Sequence, residues 1–471
     1  MSEHAPPSPD TEGPTSEEVL ESGRLRRAFV ADVLAALHSD DTDSVQTLVE
    51  QLHPADIADL IEVVDAADRD ALIGALGAKL DGDVIAELND WVREEVLRLL
   101  TPADLADVVT DLETDDAVAI LQDLDAEDQQ EVLKAIAPEE RVAIEDALTY
   151  PDDSAGRIMQ RDVVTVPEYW TVGQVIDSLR EDPDLATDFW EIFVVDPQHR
   201  PIGTIRLSWM LRTIRSVLVS DVMQREQTLI PAAMDREDVA LRFQKYALIS
   251  APVIDASGRL VGVITVDDVL HIIAEEAQED IMRLAGAGDA DINEPVRDAV
   301  RSRMRWLVIN LCTAVLSSIV IGAFADTIAH LVALAILMPI VSALGGNAGT
   351  QTMTVAVRAL ALNQLSAANA ARIVWKEVQV AFWNGSALAV LAGGATALYF
   401  HNPMLGLVFG VAMMSNILLA GLVGVLYPLT LDRLRIDPAV ASTVFVTVTT
   451  DVMGFAAFLG LAALSGIAGG G

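Results

Sequence analysis

LMPIVSALGGNAGTQ, residues 337–351, decides how this chain is read. A membrane-length apolar segment here carries a proline, three glycines and two side-chain amides. Hydrocarbon offers polar groups no partners, so such irregularity must be covered by protein or water. The stretch has a counterpart in TVTTDVMGFAAFLG, residues 447–460, where Asp451 is a lone acid inside the last apolar segment. An ionisable group at that depth is costly to bury, which makes it a functional-site candidate.

Working outward, the apolar segments form a series. Residues 306–324, 331–360, 373–400, 404–427 and 439–467 are each long enough to span a bilayer at about 1.5 Å per residue. The second is long and expected to be broken by its proline and glycines. Arg301, Arg303 and Arg305 precede the first span, Arg358, Arg372 and Lys376 separate the second from the third, and Arg433 and Arg435 separate the fourth from the fifth. The opposite loops carry no Lys or Arg. The positive-inside rule then places the N-terminus in the cytoplasm and the C-terminus outside, in a multi-pass protein of the cell membrane. Five spans leave no inverted repeat within one chain, so a pore is expected on the axis of a symmetric homodimer.

Within the spans, Gly345, Gly346, Asn347, Gln351 and Thr447 are the candidate pore-lining residues beside Asp451. Asn347 and Gln351 share a helix face, and the glycines either admit a neighbouring backbone or free carbonyl oxygens. Thr447 lies one turn before Asp451. Oxygen donors without Cys or His suit a hard cation, and Mg²⁺, which dehydrates reluctantly, suits a wide ring with one carboxylate per subunit.

The charge is as divided as the hydropathy. Of 31 Lys and Arg, 8 lie from Arg301 onward, and of 70 Asp and Glu only 5 do, so the first 300 residues hold 23 bases against 65 acids. That field repels nucleic acid and anionic lipid and attracts cations, with halophilic adaptation as the alternative reading. Cys312 alone excludes a disulfide framework. No Cys/His pair, phosphate loop or nucleophile elbow suggests an enzyme.

The acidic part is itself ordered. Residues 1–17 read as a disordered tail, 18–38 as a helix, and from His53 eight units of twelve residues follow, beginning HPADIADLIEVV and ending APEERVAIEDAL. Positions eight and twelve of every unit are apolar, from Leu60 and Val64 to Ile144 and Leu148. An i, i+4 pair marks one face of a short helix, and stacked helices must share one core, as in a superhelical solenoid. From Met159 strands alternate with helices in two copies, VVDPQHRPIGTIRLSWML (194–211) and VIDASGRLVGVITVDDVL (253–270), which resemble a tandem pair of CBS domains. Gly262, Thr265 and Asp268 match the adenine-nucleotide pattern of such domains, whereas Gly203, Arg206 and Trp209 break it. ATP binding or a purely structural pairing module are the two expectations. Next comes HIIAEEAQEDIMRLAGAG (271–288), an amphipathic helix with Glu275, Glu276, Glu279 and Asp280, which either faces water or holds cations.

The combination of acidic helical domain, tandem CBS, acidic connecting helix, PIVSALGGNAGTQ and TDVMGF resembles the MgtE family of magnesium channels and transporters over nearly the whole chain. The resemblance implies a multi-domain fold. Its parts are a tail (1–17), an all-α superhelical N domain (18–150), two α/β CBS domains (151–215 and 216–273), a plug helix (274–304) and a five-span membrane domain (305–471). It implies a homodimeric Mg²⁺ channel with Asp451 as the pore carboxylate. Regulatory Mg²⁺ ligands map onto Asp268 and Glu237, onto Glu276, Glu279 and Asp280 of the plug, onto Asp437, and onto Asp83, Asp115 and Asp116 of the N domain. Thr443 and Val444 replace a proline-containing pair, and Ala119 stands where an acid is expected. A broader carrier of Co²⁺, Ni²⁺ and Mn²⁺, or a membrane-anchored ion or nucleotide sensor, are the alternatives.

Overall fold

Asp65, Asn89 and Thr101 each open a unit of the twelve-residue repeat, and each accepts a hydrogen bond from a backbone N–H of the helix that follows. Capping of this kind is what converts the repeat into separate short helices. The computed structural model describes residues 14–181, 189–286, 293–366, 368–440 and 443–467. It divides into two units, Met1–Ala274 and Glu275–Gly471.

The first unit opens with α1 (Ser16–Val19), a hairpin of β1 (Leu20–Glu21) and β2 (Arg24–Leu25), then α2 (Arg27–His38) and α3 (Thr42–Val49). The single helix expected over 18–38 is therefore interrupted. Gly23 and Ser22 both take positive φ, which closes a hairpin and cannot continue a helix. Of the tail expected over 1–17, residues 1–13 lie outside the described residues, while Ser16 and Glu17 are helical.

The repeat supplies α4 (Pro54–Val63), α5 (Ala66–Leu76), α6 (Gly82–Ala86), α7 (Asp90–Leu97), α8 (Pro102–Asp111), α9 (Thr114–Gln122), α10 (Ala126–Ala135) and α11 (Pro138–Leu148). Leu60, Leu72, Val84, Val96, Ile120 and Val132, all at position eight, are fully buried in one shared core. The third unit departs from the register. Gly77, at positive φ, ends α5 and starts a 3-10 turn, and Asp81 instead caps the shortened α6.

Two three-stranded sheets follow. The first contains β3 (Thr165–Pro167), β4 (Glu191–Val195) and β5 (Pro201–Arg206), with α12 (Val172–Glu181) and α13 (Leu207–Met210). The second contains β6 (Ile230–Pro231), β7 (Ser250–Ile254) and β8 (Leu260–Thr265), with α15 (Arg236–Tyr246) and α16 (Val266–Ala285), while the intervening α14 (Val219–Val222) packs back into the core of the first through Val219. In each, the first pair is parallel and the second antiparallel. The copies exchange their leading segments: Gln160 bridges Val263 of the second sheet, and Gln224 bridges Thr204 of the first. Gly262 permits this approach, since a Cβ there would lie 2.7 Å from the Gln160 carbonyl oxygen.

The second unit holds α17 (Val296–Ala323), α18 (Ala325–His330), α19 (Ala333–Ala361), α20 (Ala370–Tyr399), α21 (Pro403–Arg433) and α22 (Thr443–Leu464). Five of these, all but α18, are long and apolar enough to cross a membrane. Phe409 and Phe458 are fully buried and meet edge to face between α21 and α22. Leu311, Ile319 and Leu398 are exposed, as a surface turned toward hydrocarbon requires.

Two expectations are corrected here. The second span is not broken, because α19 runs unbroken through Pro339 and its glycines serve close packing rather than freeing carbonyls. The plug expected over 274–304 is not one helix: α16 ends at Ala285 and α17 starts after Pro295. Gly286, at positive φ, ends α16, and Pro295 marks the start of α17, since the residue before a proline is driven out of the helical region.

Candidate functional site

Asp451 sits half-buried on α22, and Ser342 of α19 donates a 2.6 Å hydrogen bond to its Oδ1. Thr447, one turn earlier, faces Gly346, whose Cβ position would be 3.8 Å from the threonine Oγ1. The structure thus brings Asp451, Thr447 and Gly346 to the packed side of α19 and α22. Asn347 and Gln351 point elsewhere, onto the exposed face of α19. Gly345 is buried for a different purpose: a Cβ there would lie 2.2 Å from Nδ2 of Asn416, an amide on α21 that is 2% exposed. Neither Ser342 nor Asn416 was expected from the sequence. A signal existed for Asn416, since an amide inside MMSNILLAG deserves the scrutiny given to Asp451.

A second set surrounds α16. Glu276, Glu279 and Asp280 lie on one stretch of this helix, and Asp437 approaches them from the turn preceding α22. Burial raises the carboxyl of Asp280 to about 6, and the charges of Asp437 and Glu276 push the same way. Asp437 accepts from the Ala439 N–H at 2.8 Å, and Arg283 is ion-paired with both Glu279 and Asp437. Arg283 is the residue that a search for acids overlooks, for it already supplies one positive charge to the cluster.

The third set lies in the first unit. Burial pushes Asp115 well above the ordinary carboxylate range, with Asp268, Asp116 and Glu113 adding repulsion. Its Oδ1 is buried without a hydrogen-bond partner. Asp268 opens α16; burial raises it to about 6, opposed by a 2.7 Å bond from the Thr265 hydroxyl. Gln160 Nε2 donates to Asp268 at 3.2 Å and also to Glu113. Asp116 is raised first by burial and then by Glu87 and Asp83, so Asp83 belongs to the same crowd. Glu237 lies in the first turn of α15, its N–H bound to Asp235.

Among the described residues no three acid, His or Cys side chains converge in ready-made metal geometry. The donor chemistry nevertheless fits a hard cation, because the clusters are carboxylates and the buried Asp115 oxygen lacks a donor. A cavity of about 330 Å³ opens beside this cluster, lined by Glu113, Gln160, Trp190, Glu191, Phe193 and Thr265 among others. Of the expected nucleotide residues, Thr265 lines it and Asp268 is bonded to Thr265, whereas Gly262 packs on the exchanged Gln160 segment.

A family model for the MgtE divalent cation transporter matches residues 338–461, one for the MgtE intracellular N domain matches 52–153, and the CBS domain matches 155–208 and 219–275. The magnesium transporter MgtE of Thermus thermophilus is 31% identical over 93% of this chain and 99% of its own length. The chain belongs to the MgtE family. The MgtE of Enterococcus faecalis is 30% identical over 94% of this chain and 99% of that protein, and the MgtE of Bacillus subtilis 26% over 92% and 96%. A solved structure described as the cytosolic domain of the Mg²⁺ channel MgtE in complex with ATP matches at 29% identity, covering 52% of this chain and 99% of that one, with a TM-score of 0.48. All three of these relatives are described as magnesium transporters.

Proposed function

We propose that the chain works as a homodimeric Mg²⁺ channel of the cell membrane, N-terminus inside, that passes hydrated Mg²⁺ along Asp451 and closes when cytoplasmic Mg²⁺ rises. The observation that carries this reading is the half-buried Asp451, supported by a hydroxyl rather than a base. A carboxylate so placed is compatible with a charge that is met by water and a passing cation. One carboxylate per subunit, repeated by two-fold symmetry, gives a ring wide enough for an ion that keeps its waters.

Closure follows from the acidic sets. Asp115, Asp116, Asp268 and Asp83 repel one another in the first unit, and Glu276, Asp280 and Asp437 do so in the second. A cation that binds such a set only when it is compact stabilises that state by mass action. Mg²⁺ would be held by these carboxylates and would supply charge neutralisation, while Arg283 already neutralises part of the second set.

The test is Mg²⁺ flux into liposomes carrying the full-length protein. Asp451→Ala should reduce flux to background while the dimer still forms; undiminished flux removes the site assignment. Competition by Co²⁺, Ni²⁺ and Mn²⁺ separates Mg²⁺ selectivity from a broader carrier, and absence of any flux favours an anchored sensor. The cavity beside Thr265 supports a second ligand, adenine nucleotide, through its hydroxyl–carboxylate pair. Equilibrium dialysis with ATP should show binding that Thr265→Ala weakens.

A further inference from the structure

Ser342 and Asp451 meet across two helices, and the geometry around them is over-determined. Val341, the residue before Ser342, gives its carbonyl oxygen to Asn416 Nδ2 at 3.0 Å. The same amide is seated against α22: a Cβ on Gly454, three residues after Asp451, would lie 2.6 Å from it. The Asn416 carboxamide therefore fills a slot between Gly345 and Gly454 and fixes α19 against α22 at the level of the Ser342–Asp451 bond. Two glycines are required there because any side chain at either position would displace a buried amide.

We infer that Ser342 is a positioning and specificity-determining residue for the transported cation. It occupies one lone pair of Asp451 Oδ1 and fixes the orientation of the carboxylate, which biases the ion's contact toward the other oxygen. The inference rests on the proposed function of Asp451 and refines it. Its physical content lies in how the two commonest divalent cations use carboxylates. Ca²⁺ sheds water readily and accepts both oxygens of one carboxylate in flexible geometry, whereas Mg²⁺ keeps its waters and needs an acceptor for them. A carboxylate with one oxygen engaged by a hydroxyl still accepts from a hydrated ion but closes less readily with both oxygens on a bare one. Asn416 acts through Ser342: it holds the turn that carries the hydroxyl.

The experiment measures Mg²⁺ uptake into liposomes by the full-length protein against increasing Ca²⁺. Ser342→Ala should make Ca²⁺ a stronger competitor by about tenfold, the scale of one hydrogen bond to a charged group. Ser342→Thr, which keeps the hydroxyl, should stay within about twofold of the parent ratio on the same scale. A merely structural serine would lower the yield or melting temperature of the alanine variant without moving the ratio. An unchanged ratio in Ser342→Ala overturns the inference. If that variant fails to assemble, Ser342→Cys replaces it: a thiol is a weak donor, so an intermediate ratio supports the inference and a parent-like ratio overturns it. Should Asp451→Ala retain parent-level flux, the proposed function itself fails; should Asp451→Ala be silent and Ser342→Ala parent-like, only the role of Ser342 falls.

Discussion

The surroundings of Asp451 and the crowded acidic clusters both depend on carboxylates, yet they treat them in opposite ways. In the membrane unit Asp451 stands among apolar helices, and a single hydroxyl and one wedged amide define its surroundings. Around Asp115 and Asp268, and again around Asp280, acids are crowded against acids, and burial lifts their carboxyls above the ordinary range. The first arrangement is fixed by close packing of Asn416 against Gly345 and Gly454. The second stores like-charge repulsion, so its compact form is sensitive to whatever counter-charge arrives. Under the proposed function, the former suits the passing of an ion and the latter the sensing of its concentration.

The contrast can be broken most forcefully on the sensing side. Replacing Glu276, Glu279 and Asp280 together by Ala should leave a channel that conducts but is no longer blocked by millimolar cytoplasmic Mg²⁺ in excised patches. Block that persists unchanged would mean that these acids do not gate. On the packing side, Gly345→Ala should destabilise the membrane unit by about 1–3 kcal/mol, because its new methyl overlaps buried Asn416. Gly394→Ala, where the added Cβ meets nothing, should be nearly neutral. Folded yield and resistance to denaturing detergent compare the two, and equal behaviour would show that the amide slot is not tight.

A gentler probe is pH in the absence of divalent cations. Asp268 and Asp280 are raised from an ordinary 3.8 to about 6, so between these values the folded protein retains protons that the unfolded chain has released. Stability is therefore lost as pH rises through about 6 and regained as it falls toward 5. The melting temperature of the metal-free protein should climb on the order of a few degrees from pH 7 to pH 5. Added Mg²⁺ at pH 7 should reproduce the gain, and Asp268→Asn should flatten the pH dependence. The smallest effect is expected at Arg283. With Ala there, Glu279 and Asp437 lose their internal cation, so the Mg²⁺ concentration that half-protects the protein should fall by about two- to threefold, the range of a partly exposed ion pair. A rise instead would show that Arg283 helps the cation bind rather than standing in for it.

Much of this was legible in the chain. The twelve-residue repeat announced eight short helices because capping residues and apolar pairs recur in phase, and only the third unit slips, at Gly77 and Asp81. The doubled α/β pattern and the five apolar spans were equally readable. The hairpin inside 18–38 was hidden because Ser22 and Gly23 are brief interruptions in an otherwise helical pattern. The plug was read as continuous through Pro295, although proline is a strong local stop. In the site, isolated acids in the sequence drew attention, while Ser342, Asn416 and Arg283 did not, since a serine, an amide and an arginine acquire meaning only from what lies opposite.

Local chemistry by itself determined the elements: which segments are apolar enough for lipid, where each short helix is capped, and that an acid lies deep in the last span. Periodicity and charge are written along one dimension and need no partner to be read. The tertiary structure alone decided which of two uses the glycines serve, which oxygen of Asp451 is held, and which acids crowd together. Those facts depend on residues separated by more than a hundred positions, such as Ser342 and Asp451 or Asp115 and Asp268, meeting through helix packing that no local pattern encodes.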